Sequence, residues 1–140
     1  WMKEIGVPLN HPNSGSAMPW FASLDTPGAE SIKALAEIMG TMPWTRFEPF
    51  RTLVTSPATA ADYSNFIPCA RTDTRETALC YIPAKTTPVL NTYSFENGVR
   101  STWIDPRTGI RKTPLDLIRI DRIEVKPPSD EDWLLLIERK

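Results

Sequence analysis

A chain of 140 residues with a formal net charge of −1 suits one ordinary domain, or a small domain with a fragment attached. That charge gives no broad pull toward nucleic acid or an anionic membrane, and no apolar run approaches the roughly 20 residues of a membrane span. Fourteen prolines, about twice the average share, favour turns and edge strands over long helices, and two cysteines are too few for a structural zinc site.

The beginning, Trp1-Met2-Lys3-Glu4, has no signal-peptide pattern and no initiator methionine, so the chain is expected to be a piece of something longer. Residues 1–25 read as irregular, because Pro8, Pro12, Pro19, Gly6, Gly15 and several Asn and Ser forbid long elements. One helix follows. Thr26 suits its cap, Pro27 its first position and Glu30 its dipole; Ile32, Leu35, Ile38 and Met39 keep helical spacing, and Gly40 ends it. A helix of about four turns with one apolar stripe needs a partner surface, either the rest of this chain or a missing body.

From Met42 to Pro57 the prolines predict a connector with one short apolar run, Thr52-Leu53-Val54, and residues 58–64 read as loop. The texture then changes to strands. Phe66 to Thr72 and Thr77 to Ile82 are expected to form a hairpin around the loop Asp73 to Glu76, which sets Cys69 opposite Cys80. Directly opposed residues of a non-hydrogen-bonded pair bring their Cβ atoms close enough for a disulfide; two small buried thiols are the alternative. Val89 to Phe95, the Asn97-Gly98 turn and Val99 to Asp105 read as a second hairpin. Asp105-Pro106-Arg107-Thr108-Gly109 fits a type I turn with Gly109 at positive φ.

Ile110 to Thr113 is predicted as a short strand and Leu117 to Val125 as a longer one. In the longer one Ile118 and Ile120 share parity whereas Ile123 and Val125 take the other, so a bulge near Asp121-Arg122 is expected. Trp133 to Ile137 is nearly continuous in apolar residues, as a strand covered on both faces would be. About seven short strands with turn signals between them predict a mainly β fold, an antiparallel β-sandwich preceded by a loop and one helix.

Chemistry-bearing patterns are few. The acidic run Asp130-Glu131-Asp132 lacks calcium-loop spacing and reads as a solvated turn. His11, the only histidine, has no partner for a metal site or a triad. No phosphate loop, nucleophile elbow or metalloprotease helix motif is present, so no catalytic residue, metal or cofactor is assigned. Trp1, Trp20, Trp44, Trp103 and Trp133 are candidate platforms for sugar rings; for Trp103 and Trp133, inside strands, core packing is the expectation.

Trp103-Ile104-Asp105-Pro106-Arg107-Thr108-Gly109, followed by Pro127-Pro128 and Asp132-Trp133-Leu134-Leu135-Leu136-Ile137, resembles the C-terminal β-sandwich of apiosidase-like glycoside hydrolases, a domain also labelled the collagen-binding domain of a collagenase. The stretch from Trp20 to Ala29, then the helix, Met42-Pro43-Trp44 and Glu48-Pro49, resembles the end of the β/α barrel in the same proteins. The resemblance implies that residues 1–49 are the remnant of that barrel, its last loop and last helix, and that residues 50–140 are the accessory sandwich. It implies that the helix stripe serves a barrel, the catalytic β/α barrel of the parent chain, and that Trp1, His11 and Trp20 lie near substrate in the intact enzyme, since barrel loops after the strands line the active site. It implies a secreted or periplasmic protein.

The family's catalytic carboxylates lie on earlier barrel strands and match no position here. The cysteine pair and the connector Arg46-Phe47-Glu48-Pro49-Phe50, where the family has Pro followed by an acidic residue, depart from its pattern. The expected function is therefore a non-catalytic accessory domain of a glycoside hydrolase acting on complex polysaccharide. A carbohydrate- or collagen-binding module is one alternative. The other is a structural interaction domain with an exposed patch over Ile32, Leu35 and Met39.

Overall fold

The computed structural model describes residues 27–56 and 65–140. Helix α1 spans Pro27–Gly40, and a short 3-10 turn, Trp44–Arg46, leads into the strands. These are β1 (Phe47–Pro49), β2 (Val54–Ser56), β3 (Cys69–Thr72), β4 (Thr77–Ile82), β5 (Val89–Leu90), β6 (Val99–Ile104), β7 (Leu115–Leu117), β8 (Ile123–Glu124) and β9 (Trp133–Arg139). All pairings are antiparallel: a large sheet in the order β1-β3-β4-β9-β6-β7, and a small one in the order β2-β5-β8. The mainly β, sandwich-like reading with one preceding helix holds.

Side-chain alternation along the central strand β9 organises the layers. Trp133, Leu135 and Ile137 face the small sheet in a core with Ala78, Cys80, Ile82, Leu90, Val99, Trp103, Leu117 and Val125. Leu134 and Leu136 point the other way, to Ile38 and Met42 of the helical segment, together with Ile104, Phe47 and Leu79. The continuous apolar run of β9 is thus the mark of a strand covered by a sheet on one face and a helix on the other.

The β3–β4 hairpin has the predicted register, with Cys69 opposite Cys80. The Tyr81 N–H donates to the Pro68 carbonyl (3.0 Å), which makes Cys69 and Cys80 a non-hydrogen-bonded pair. Their Cα atoms lie 4.2 Å apart and a disulfide joins them. The Asp105 turn also forms as expected: the Gly109 N–H donates to the Asp105 carbonyl (2.8 Å) with Gly109 at φ 73°, and the Arg107 N–H donates to Asp105 Oδ1 (2.9 Å). The helix begins at Pro27; the expected cap, Thr26, lies outside the described residues.

Four expectations are corrected. The segment read as a connector supplies β1 to the large sheet and β2 to the small one. Val89 and Val99 do not start two arms of one hairpin: β5 pairs with β2 and β8, whereas β6 pairs with β7 and β9. The Asn97-Gly98 turn does exist, with the Gly98 N–H donating to the Phe95 carbonyl (3.2 Å), but it carries the chain from one sheet to the other. Leu117 to Val125 is not one bulged strand. It divides into β7, on the large sheet, and β8, on the small one, and the phase change in its apolar residues is that crossing. The strand expected at Ile110 to Thr113 reduces to a single bridge between Ile104 and Arg111.

Gly98 is held at φ 75°, and a Cβ there would lie 2.5 Å from the Leu117 carbonyl oxygen. At Gly109 the nearest atom to such a Cβ is Ile38 Cγ1, at 3.8 Å. Both alanine variants carry the backbone strain of a left-handed residue, but only Gly98→Ala adds a clash with backbone. Urea unfolding is expected to show about 1 kcal/mol lost for Gly109→Ala and about 3 kcal/mol for Gly98→Ala. Equal losses would refute the close approach of the two crossing segments.

Candidate functional site

The two runs that stand out in the sequence meet in space. Arg107, from the turn after β6, reaches the acidic run before β9. Its Nη1 lies 2.6 Å from Asp132 Oδ1 and 3.4 Å from Glu131 Oε2, and its Nε lies 2.9 Å from Asp105 Oδ1. The Tyr81 hydroxyl, at the end of β4, donates to Asp132 Oδ2 (3.2 Å). The network ties together the ends of three adjacent strands of the large sheet. Partial desolvation opposes the charge on Arg107, but the bonded Asp105 carboxylate, with Asp132 and Glu131, outweighs it and raises the guanidinium pKa. The acidic run is therefore a structural clasp. Among the described residues no group of three or more His, Cys, Asp or Glu side chains is placed to hold a metal ion.

Two perturbed carboxylates, Asp73 and Asp116, belong to other surface ion pairs. The hydrogen bond from Arg46 holds Asp73 below its ordinary pKa, and hydrogen bonds from Lys140 and Arg100 do the same for Asp116. Depressed carboxylates contribute stability above their unfolded pKa and lose it as pH falls through the folded one. Burial, and then the Asp132 charge, raise Tyr81 above the usual phenol pKa of 10.0. The stability linked to the neutral Tyr81 hydroxyl is in place below pH ~10 and is lost as pH rises through the raised value. A phenolate absorbance titration is expected to show a component ionising above the ordinary phenol range, and Tyr81→Phe to remove that late component. A titration unchanged by the substitution would contradict the Tyr81–Asp132 bond.

The sequence-predicted candidates divide into three groups. Trp103 and Trp133 are only 8% and 4% exposed and meet edge to face with ring centroids 6.4 Å apart, so both are core and neither is a platform. Trp44, by contrast, is exposed on the turn that leaves α1. Trp1, His11 and Trp20 lie outside the described residues.

Helix α1 presents a split stripe. Ala34 and Ile38 are buried, and Ile38 packs on the large sheet, while Ile32 and Leu35 are 68% and 45% exposed. Residues 32, 35 and 39 lie on one flank of the helix at i, i+3 and i+7. The sheet thus takes half of the stripe that the resemblance assigned to a barrel. Ile110, next to the Gly109 turn that abuts Ile38, is exposed as well. This flank was legible in the helical spacing; its division was not, because it depends on how the helix rolls against the sheet.

No protein-family model and no curated protein matches the chain. Solved structures do. A glycoside hydrolase superposes with a TM-score of 0.73 at 15% identity, covering 93% of this chain and 30% of its own. A glycoside hydrolase family 5 protein from Bacteroides vulgatus ATCC 8482 superposes with a TM-score of 0.72 at 14% identity, covering 90% of this chain and 28% of its own. At such identities the likeness is one of fold: the chain resembles a part, less than a third of the length, of glycoside hydrolase chains.

Proposed function

We propose that this chain is the non-catalytic C-terminal accessory part of a glycoside hydrolase acting on complex polysaccharide, and that it packs on the catalytic β/α barrel of its parent and stabilises it. The observation that carries this reading is the lopsided coverage: nearly all of this chain superposes on less than a third of each glycoside hydrolase. The unsatisfied half of the α1 stripe supplies the docking surface, since exposed apolar flanks mark missing partners. The Cys69–Cys80 disulfide supports folding in an oxidising compartment, as a secreted or periplasmic enzyme requires.

Two measurements test the reading. The isolated chain is expected to show no glycosidase turnover; rates of about 1 s⁻¹ or more on any polysaccharide would overturn it. Ile32→Asp with Leu35→Asp is expected to change the chain's own stability by no more than about 0.5 kcal/mol, because both side chains already face water. The same pair is expected to abolish co-purification with a separately expressed barrel of the parent enzyme. Retained co-purification would place the docking surface elsewhere. The polymer-binding alternative loses its main aromatics with the burial of Trp103 and Trp133, and the collagen form of it gains no supporting observation.

A further inference from the structure

Helix α1 has no cation of its own at its C-terminal end: its last turn holds no basic residue. That end of a helix carries partial negative charge and unpaired carbonyl oxygens, which a cation or a donor satisfies. Here the cation comes from a distant part of the chain. The Thr41 hydroxyl donates to the Ile38 carbonyl (2.7 Å), as does the Thr41 N–H (3.1 Å). The same hydroxyl accepts from Arg111 Nη2 (2.8 Å), across a sequence separation of 70. Arg111 is itself fixed to the large sheet. Its backbone bridges Ile104 of β6, and the next N–H, that of Lys112, donates to the Trp103 carbonyl (2.8 Å). Beyond Thr41 the chain stays bonded as it enters the sheet. Met42 is buried, the Arg46 N–H donates to the Pro43 carbonyl (2.9 Å), and Arg46 Nη2 lies 2.7 Å from Asp73 Oδ1.

The end of α1 is therefore gripped, and the roll of the helix decides which of its flanks is free. Ile38 and Met42 seat it on the sheet, and Arg111 holds the turn between them. In that roll Ala34 and Ile38 are buried while Ile32 and Leu35 face water. We propose that Arg111 is a positioning residue for docking: it caps α1 from across the fold and so presents the Ile32 and Leu35 flank to one occupant, the catalytic barrel of the parent chain. The choice of occupant rests on the accessory-domain reading above. Two observations support it: more than two thirds of each superposed glycoside hydrolase lies outside the match, and residues 1–26 lead into α1 itself. The clamp rests only on the bonds between Arg111, Thr41 and Ile38. Arg111 acts through the helix and does not touch the barrel.

The test is amide hydrogen exchange of the full chain, read beside its affinity for a separately expressed barrel of the parent enzyme. Arg111→Ala is expected to speed exchange at the Thr41 and Met42 N–H groups at least tenfold, as local opening frees them, while β9 keeps its protection. The same variant is expected to dock at least fivefold more weakly, with its urea midpoint nearly unchanged. Arg111→Lys, which keeps the charge and a donor, is expected to restore part of each. Thr41→Val breaks the link from the other side, so it is expected to match Arg111→Ala, and the double variant to be no worse than either. Unchanged exchange in Arg111→Ala, or additive losses from the two substitutions, overturns the clamp. Docking lost in Arg111→Ala but kept in Thr41→Val means that Arg111 touches the barrel directly, and overturns it as well. An unsubstituted chain that fails to dock overturns the accessory-domain reading and the docking role with it, a result distinct from failure of the clamp alone.

Discussion

Leu135→Ala is expected to destabilise the chain by about 3–5 kcal/mol, the largest effect of any single substitution considered. Leu135 is 0% exposed, sits in the middle of β9 opposite both Cys80 and Trp103, and faces the core between the two sheets. Its truncation removes the transfer free energy of three carbons and leaves a cavity walled by two hydrogen-bonded neighbours, which cannot close in without disturbing both ladders. The partner experiment is Leu136→Ala, one residue along and on the opposite face, where the wall is α1. A helix edge has more freedom to settle, so a smaller loss, about 2–3 kcal/mol, is expected there. Urea unfolding followed by circular dichroism measures both. A Leu135 variant less affected than the Leu136 variant would mean that the small sheet contributes less to the core than the helix does.

The second large effect concerns the disulfide. Cys69→Ala with Cys80→Ala is expected to cost about 2–3 kcal/mol, the chain-entropy value for a closed loop of this size. The loop is short, with a sequence separation of 11, which places the effect at the lower end of disulfide stabilisation. Cys80 is fully buried, whereas Cys69 is partly exposed on the neighbouring strand, and alanine leaves only a small void at either position. Adding dithiothreitol is expected to move the natural chain's urea midpoint to that of the double variant and to leave the double variant in place. A midpoint insensitive to reductant would show that the bond adds no stability, and would remove the structural support for an oxidising compartment.

Local signals carried far along this chain. The helix from Pro27 to Gly40, the register of the β3–β4 hairpin and the Asp105–Gly109 turn follow from spacing, loop length and positive φ, which act between residues close in sequence. The continuous apolar run of β9 announced a strand covered on both sides before any partner was known. Even the misread segment from Leu117 to Val125 carried the right signal: its change of parity marks where the chain leaves one sheet for the other, and a bulge was only the local way to explain it.

What the tertiary structure decided was partnership. An Asn-Gly turn between two β-prone runs specifies a reversal of direction, but whether the arms pair depends on competition from distant strands. Here β9 takes the edge of β6, and the buried Thr92 hydroxyl fastens the other arm to the 118–120 loop. The same holds for function. Amino-acid order showed an apolar helix flank, an aromatic surplus and an acidic run. Packing then buried Trp103 and Trp133, turned the acidic run into a clasp for Arg107, left Ile32 and Leu35 in water, and stacked Arg119 over the ring of Tyr93. Each outcome depends on burial and on contacts between residues far apart in sequence. Periodicity nominates such side chains for a surface or a core; only the assembled layers choose between them.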